Sequence, residues 1–374
     1  MSGRGRWSRR TPVGYVTLAV LAYLPAVLSS PGSMPADTKL GLYLNPGRLI
    51  SQAHLTWDRG LFGGWVPHQM VAYLWPTGPW YWLGDRLGLP DWLVHRLWIG
   101  TLMVAAGAGV MWLARRLGLT LAAAWVAAVV YQCSPYVLAY VSRTSVMLLP
   151  WAAVGWLTGL AATSVLNRGW RAPAAVGLVV ATVGSVNATA LAMVLPAPVL
   201  MMLSLRWQGR VSWRQLAAAA GRLLGIGVAV SLWWIVMVSI QRRSGADVLA
   251  YSETLRDVSS TATSTEAMRG LGYWLFYMGD SYARTTTASA PYMTSPGLIA
   301  AGWSIVVVAV GALATVRWAH RQFAALCLAA GVVLAVGPYP FGHSVPFWRL
   351  LGDGGAALAI RSSTRAVPVA LLGV

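Results

Sequence analysis

Apolar runs of about 17–25 residues, each long enough to cross a bilayer as a helix, recur along the chain. They predict spans near 13–30, 96–114, 118–134, 144–166, 172–187, 189–205, 216–240, 297–316 and 321–337, with a tenth beginning near 363. The last residue falls inside that tenth run, so the 374 residues are expected to be part of a longer protein. Short turns join most spans. Residues 31–95 and 241–296 are longer, and connections of that length usually carry structure or function of their own. The pattern predicts an all-α, polytopic transmembrane helical protein: one membrane domain over 1–374 with two long loops, 31–95 and 241–296.

The first loop is itself patterned. Asn45-Pro46 places an N-cap residue before a proline at the first helical position. Leu49, Ile50, Ala53 and Trp57 then line one face, which Arg48, Ser51, Gln52 and His54 avoid. This reads as an amphipathic helix of about three turns, lying flat in the membrane interface. The rest of the loop is dense in Trp and Tyr, as an interfacial aromatic belt would be; Trp57, Trp65, Trp75 and Trp80 are the ones placed to guide lipid or sugar. In the second loop the Ser/Thr-rich middle predicts a mobile stretch. EAMRGLGYWLFYMGD predicts a helix broken at its glycines and lying on the membrane.

Charge gives the predicted orientation. The formal net charge is +18, which would suit nucleic acid if it were clustered for phosphates. It is instead distributed over short turns: Arg4, Arg6, Arg9 and Arg10; Arg115 and Arg116; Arg168 and Arg171; Arg206, Arg210 and Arg214; Arg317 and Arg321. Basic turns mark the cytoplasmic side, so nucleic acid is excluded and anionic lipid is the partner of this face; an acidic cytosolic protein is the other occupant such turns could take. The N-terminus is placed in the cytoplasm. MSGRGRWSRRT has the basic n-region of a signal peptide, but the many spans that follow favour an uncleaved first helix. Cys133 and Cys327 fall on different levels of this topology and fit neither a disulfide nor a metal site.

All ten acids, from Asp37 to Asp353, fall on the opposite, outer side, so acid–base chemistry is expected there. Asp91 follows Pro90 and is expected to cap the next span. Asp85-Arg86 and Asp58-Arg59 read as solvated pairs, although Asp58, ending the amphipathic helix, is a second catalytic candidate. Asp37 has two readings: a cap for the short KLGLYL helix, or a reactive carboxylate a few residues beyond the first span, where a lipid-linked substrate surfaces. Lys39 is the only lysine among 28 basic residues. Arg143 in YVSRTS, and Arg361 and Arg365 in IRSSTRA, are outer guanidinium groups suited to a phosphate or to lipid headgroups. Asn187 in GSVNATALA is expected to form a turn.

ADTKLGLYLNPGRLISQAHLTWD, VPHQMVAYLWPTGPWYWLGDRLGLPDWLVHRLW, SRTSVMLLPWA and TEAMRGLGYWLFY together resemble the N-terminal membrane part of the actinobacterial α-(1→3)-arabinofuranosyltransferases of the AftD type, polytopic GT-C glycosyltransferases. The resemblance implies a GT-C-like fold in the plasma membrane with an extracytoplasmic active site. It implies a decaprenyl-phosphoryl-arabinofuranose donor and a cell-wall arabinan acceptor. It makes Asp37, the acid of the first loop nearest the first span, the catalytic carboxylate. GT-C enzymes often pair two acids there; here the neighbours are Ala36 and Thr38, which leaves Asp37 to act alone, with Asp58, or with an acid of the second loop such as Glu253 or Glu266. His68 and Gln69, inside VPHQMVAY, join Lys39, Arg143, Arg361 and Arg365 as substrate- or phosphate-binding candidates.

In this reading Asp37 takes a proton from the acceptor hydroxyl, and the cations stabilise the leaving lipid phosphate. A single displacement turns a β donor into an α product. A divalent cation could bridge phosphate and carboxylate, but the sequence has no metal-ligand cluster and no cofactor is assigned. The competing reading is a transporter or flippase of a lipid-linked saccharide. It calls for ionisable residues deep within the spans, where this chain has little beyond Arg222 near an inner end.

Overall fold

The computed structural model describes residues 11–35, 37, 39–60, 63–66, 70–245, 253–279, 282–337, 339–340 and 361–374. The basic N-terminal residues Arg4, Arg6, Arg9 and Arg10, the acids Asp247, Asp280 and Asp353, and the candidates His68 and Gln69 lie outside them. The described chain is helical, without strands. The longer helices in order are α1 (Thr11–Leu28), α2 (Pro46–Ala53), α3 (Thr77–Arg86), α4 (Asp91–Arg116), α5 (Leu121–Gln132), α6 (Leu148–Leu166), α7 (Arg171–Val183), α8 (Ala188–Val194), α9 (Pro196–Trp207), α10 (Trp213–Ser244), α11 (Pro296–Thr315), α12 (Arg321–Val336) and α13 (Val367–Gly373). Among the described residues seven segments are long and apolar enough to cross a membrane, and α7 and α12 are shorter apolar helices. The protein is a multi-pass membrane protein, and its helices follow the predicted spans closely.

Helix α4 is the centre of the bundle. At 26 residues it is about 39 Å long, enough to exceed the roughly 30 Å hydrocarbon core. It packs against α1, α5 and α6. Its contact with α6 is close because two glycines face each other: a Cβ on Gly155 would lie 2.5 Å from the Gly109 carbonyl carbon and 2.7 Å from its oxygen. Small residues that let backbones approach are how helices associate where lipid is as apolar as the side chains. Helices α1, α10 and α11 leave most of their surfaces outside the packed core, as lipid-facing helices do.

Polar contacts between connections fall into two sets, one at each end of the bundle. At one end Trp318 donates to the Leu117 carbonyl, Gln208 to the Ala319 carbonyl, and Arg222 to the carbonyls of Ser164, Arg168 and Gly169. Arg115 donates to the Leu119 carbonyl, and Arg116 donates to Thr163 while lying over the Trp112 ring. Arg222, which the sequence places inside a predicted span near its end, thus serves to tie the α6–α7 turn to α10. The described acids are gathered at the other end.

That acidic end carries both loops. Asn45 caps α2 by accepting from the Arg48 N–H. The helix ends at Ala53, about two turns long, so Trp57 lies beyond it and is exposed. Pro46, Leu49 and Ala53 are buried against residues Met70–Leu74 and α3. The apolar stripe therefore meets protein, where the sequence pattern predicts lipid. In the second loop the Ser/Thr-rich stretch is folded rather than loose: Thr254 and Thr263 cap Leu255–Ser259 and Ser264–Met268, and Val258 and Ala262 are fully buried. The predicted break at the glycines is present, with Gly270 and Gly272 at φ +88° and +111°. Arg269 pairs with Glu266 at 3.0 Å and stacks on Tyr292, while the Tyr277 hydroxyl donates to the other Glu266 oxygen. These bonds tie the loop to the short helix Ser289–Thr294 that precedes α11.

Candidate active site

After α1 the chain turns at Gly32 (φ +79°) and is held by Arg96, which donates to the Ser33 carbonyl at 3.3 Å. This delivers Asp37 to the interior, where it is only 4% exposed. Its carboxylate does not cap the following short helix, Gly41–Leu44, which has no side-chain cap. It accepts instead from the Ser145 backbone N–H, at 3.0 Å to Oδ1 and 3.2 Å to Oδ2. Ser145 opens a 3-10 turn, Ser145–Met147, that runs into α6. The first N–H groups of such a helix have no partner within it and point their dipoles outward, so the carboxylate completes the helix start from across the fold.

Three tyrosines and a histidine surround Asp37. Burial raises the pKa of Tyr43, Tyr73 and Tyr81 above the phenol range, and for Tyr73 and Tyr81 the Asp37 charge adds to it. The Tyr81 hydroxyl lies 2.7 Å from His95 Nδ1. His95, fully buried in the second turn of α4, points Nε2 at Asp37 Oδ2 from 4.0 Å. Trp98, one turn further on, donates to Ser145 Oγ at 3.2 Å and packs on Trp80, with ring centroids 5.8 Å apart. Among the described residues no further His, Cys, Asp or Glu joins Asp37 and His95 in a group able to hold a metal ion.

Arg143, Arg361 and Arg365 form a second group around Tyr273 and Glu253. Tyr140 stacks on Tyr273 at 4.7 Å. Burial raises the Tyr273 pKa, with Tyr140 and Glu253 adding to it and Arg365 and Arg143 opposing it, so these charges share one neighbourhood. Arg365 donates to Asn187 Oδ1 at 3.1 Å, and the same oxygen caps α8 by accepting from the Ala190 N–H. Arg361, 8% exposed, pairs with Glu253 at 3.5 Å. Arg143 is exposed and only two residues from the amide that holds Asp37.

The other candidates stand apart from this arrangement. Asp58 is buried rather than solvated. Its Oδ1 accepts from the Gly60 N–H at 2.8 Å, and its backbone pairs with Trp65, so it builds its own turn. Asp85 and Asp91 are exposed; Asp91 is the first residue of α4 and gives no side-chain cap. Lys39 is half-buried and its pKa is lowered by that burial. No ion pair joins it to an acid among the described residues. Trp75 donates to Thr182 at 3.1 Å. Sequence reasoning misses Ser145, His95, Tyr81 and Tyr273. Nothing in local periodicity links residue 37 to 145 or 81 to 95; the one available hint is a histidine so close to the start of a long apolar run.

The family model described as the α-(1→3)-arabinofuranosyltransferase N-terminal GT-C domain matches residues 20–358. An α-(1→3)-arabinofuranosyltransferase of Mycobacterium tuberculosis is 31% identical over 334 residues, 87% of this chain and 23% of the relative. Its counterpart in Mycolicibacterium smegmatis is 30% identical over 324 residues, 85% of this chain and 22% of the relative. A cryo-EM structure of the arabinofuranosyltransferase AftD from mycobacteria shares the fold with a TM-score of 0.67 at 24% identity, covering 96% of this chain and 26% of that one. A variant of that enzyme gives 0.60 at 26% identity over 95% and 27%. The chain thus spans about a quarter of the length of these relatives.

Proposed function

Since the chain belongs to the family of the α-(1→3)-arabinofuranosyltransferase N-terminal GT-C domain, we propose that it carries the catalytic centre of a membrane arabinofuranosyltransferase. The donor is a decaprenyl-phosphoryl-arabinofuranose and the acceptor a cell-wall arabinan. The basic end of the bundle faces the cytoplasm and its anionic headgroups. The acidic end, with both loops, faces outward in the plasma membrane.

Asp37 is the general base. The observation that carries this reading is its carboxylate, nearly buried, aimed by the Ser145 N–H and ringed by tyrosines at the mouth of the bundle. It takes the proton of the acceptor hydroxyl as that oxygen attacks the anomeric carbon. The bond from that carbon to the phosphate oxygen breaks, its electron pair leaving with the lipid phosphate, and the configuration inverts. Base assistance of this kind is worth about 10²–10⁴ in rate. Arg143, Arg361, Arg365 and Lys39 are the cations for the leaving phosphate, and guanidinium forks suit its oxygens. Asp58 keeps its turn-building role. The Asp37→Asn variant of the complete chain, in membranes supplied with labelled donor, loses transfer by about 10²–10⁴ and still binds donor. Transfer at the parental rate would remove Asp37 from the mechanism.

A further inference from the structure

The Asp37 carboxylate has a pin that does not choose between its oxygens. The Ser145 N–H reaches both, at 3.0 and 3.2 Å, so this bond by itself selects neither oxygen. His95 approaches one of them. Its Nε2 faces Oδ2 from 4.0 Å and has no hydrogen-bond partner among the described residues, although the ring is fully buried. An unpartnered buried ring nitrogen is costly, and here it is aimed at a charge.

The proton position on the ring follows from its two neighbours. Tyr81 sits on Nδ1 at 2.7 Å. Burial and the Asp37 charge keep the phenol protonated, so it can donate to Nδ1, which leaves the ring proton on Nε2. The opposite neutral tautomer would turn the Nε2 lone pair toward a carboxylate. A doubly protonated ring again carries a proton on Nε2. Each arrangement compatible with the carboxylate therefore presents an N–H to Oδ2.

We propose that His95 is a positioning residue for the transfer reaction: its Nε2–H, set by the Tyr81 hydroxyl, closes on Asp37 Oδ2 and fixes the carboxylate that receives the acceptor proton. The inference rests on the reading of Asp37 as the base. Closure from 4.0 Å to a normal 2.7–3.2 Å bond needs a shift of about 1 Å, the scale on which a misplaced catalytic group costs about 10² in rate.

The test uses the complete chain in membranes with labelled polyprenyl-phosphoryl-arabinofuranose, comparing His95→Phe, His95→Gln, Tyr81→Phe and Asp37→Asn. His95→Phe lowers kcat by about 10- to 100-fold at unchanged KM for the donor. His95→Gln, whose amide N–H reaches a similar point, recovers much of it. Tyr81→Phe frees the tautomer and lowers kcat less than His95→Phe does. If the Phe variant does not fold, Tyr81→Phe and His95→Gln decide: reduced kcat at constant KM in Tyr81→Phe, with His95→Gln at or above it, supports the role. Parental kcat in His95→Phe, or in Tyr81→Phe where the former is unfolded, overturns it. The same holds if KM rises and kcat stays. An active Asp37→Asn removes the base itself, and an inactive one beside an unaffected His95→Phe removes only this inference.

Discussion

Asp37 and Ser145 lie 108 positions apart in the chain and meet through one N–H shared between two carboxylate oxygens. The bond ties the segment after α1 to the start of α6. It places a buried charge at a helix-end donor, a favourable position for an anion.

Replacing Ser145 separates the roles of its two polar groups. Ser145→Pro removes the N–H at the first position of a helical turn, where proline is otherwise accepted. A hydrogen bond to a charged group is worth about 1.5–3 kcal/mol, so transfer should fall roughly 10- to 100-fold. Ser145→Ala keeps the N–H, loses only the bond from Trp98, and should retain most activity. Initial rates of labelled arabinose incorporation check both.

Arg361 and Glu253 form a pair at 3.5 Å that a donor phosphate bound at Arg361, as proposed, would have to share. Arg361→Ala should weaken donor binding by about 10- to 100-fold, the equivalent of about 1.5–3 kcal/mol for a charged hydrogen bond. Glu253→Gln withdraws the competing negative charge and should tighten binding. Equilibrium binding of the labelled lipid to purified protein gives the answer, and equal affinities in all three proteins would remove this pair from the phosphate site.

Lys39 supplies a pH dependence. Burial lowers its pKa below the ordinary 10.5, so in the folded protein the ammonium is lost earlier on the alkaline side than in the unfolded chain. Between the folded and unfolded values the unfolded chain binds more protons, and the contribution of this residue to stability rises with pH across that window. The contribution to phosphate binding proposed for it moves the other way and fades as pH approaches 10.5. Donor affinity measured from neutral to alkaline pH should fall in the parent and stay level in Lys39→Arg, whose guanidinium does not titrate there.

The α4–α6 contact predicts a stability effect away from the chemistry. Gly155→Ala puts a methyl group against the Gly109 backbone at 2.5–2.7 Å, and overpacking of that kind costs about 1–3 kcal/mol. A lower thermal midpoint in detergent is expected. Gly221→Ala, in α10 with nothing within 4 Å of the added carbon, should be neutral or slightly stabilising, since Gly is the poorer helix former.

The spans are legible in the sequence because lipid imposes one dominant cost. A stretch without charge and with satisfied backbone groups has to become a helix, and α4, α10 and α11 all end close to where their apolar runs do. The Asn45 cap is equally readable, whereas Asn187, expected to form a turn, caps a helix and Asp91, expected to cap one, does not. The buried faces of the loops are not legible, because an amphipathic stripe says how apolar a face is and nothing of whether protein or lipid covers it, as α2 demonstrates. Asp58 and Asp91 show the same limit for charge. The pairing of Asp37 with Ser145, and of Tyr81 with His95, is set by how α1, α3, α4 and α6 pack, and local periodicity carries no information on contacts of that range.

The distance along the chain between the Asp37 carboxylate and its holding amide also has a meaning in time. At about 5–20 residues per second of synthesis, the acid emerges roughly 5–20 s before the serine that will hold it. Until three further helical segments have been inserted and the 145 turn has docked, the negative charge near the membrane edge has no fixed direction. Arg361 and Arg365 arrive later still, so the residues proposed to act together are synthesised in sequence and meet only after the segments between them have packed.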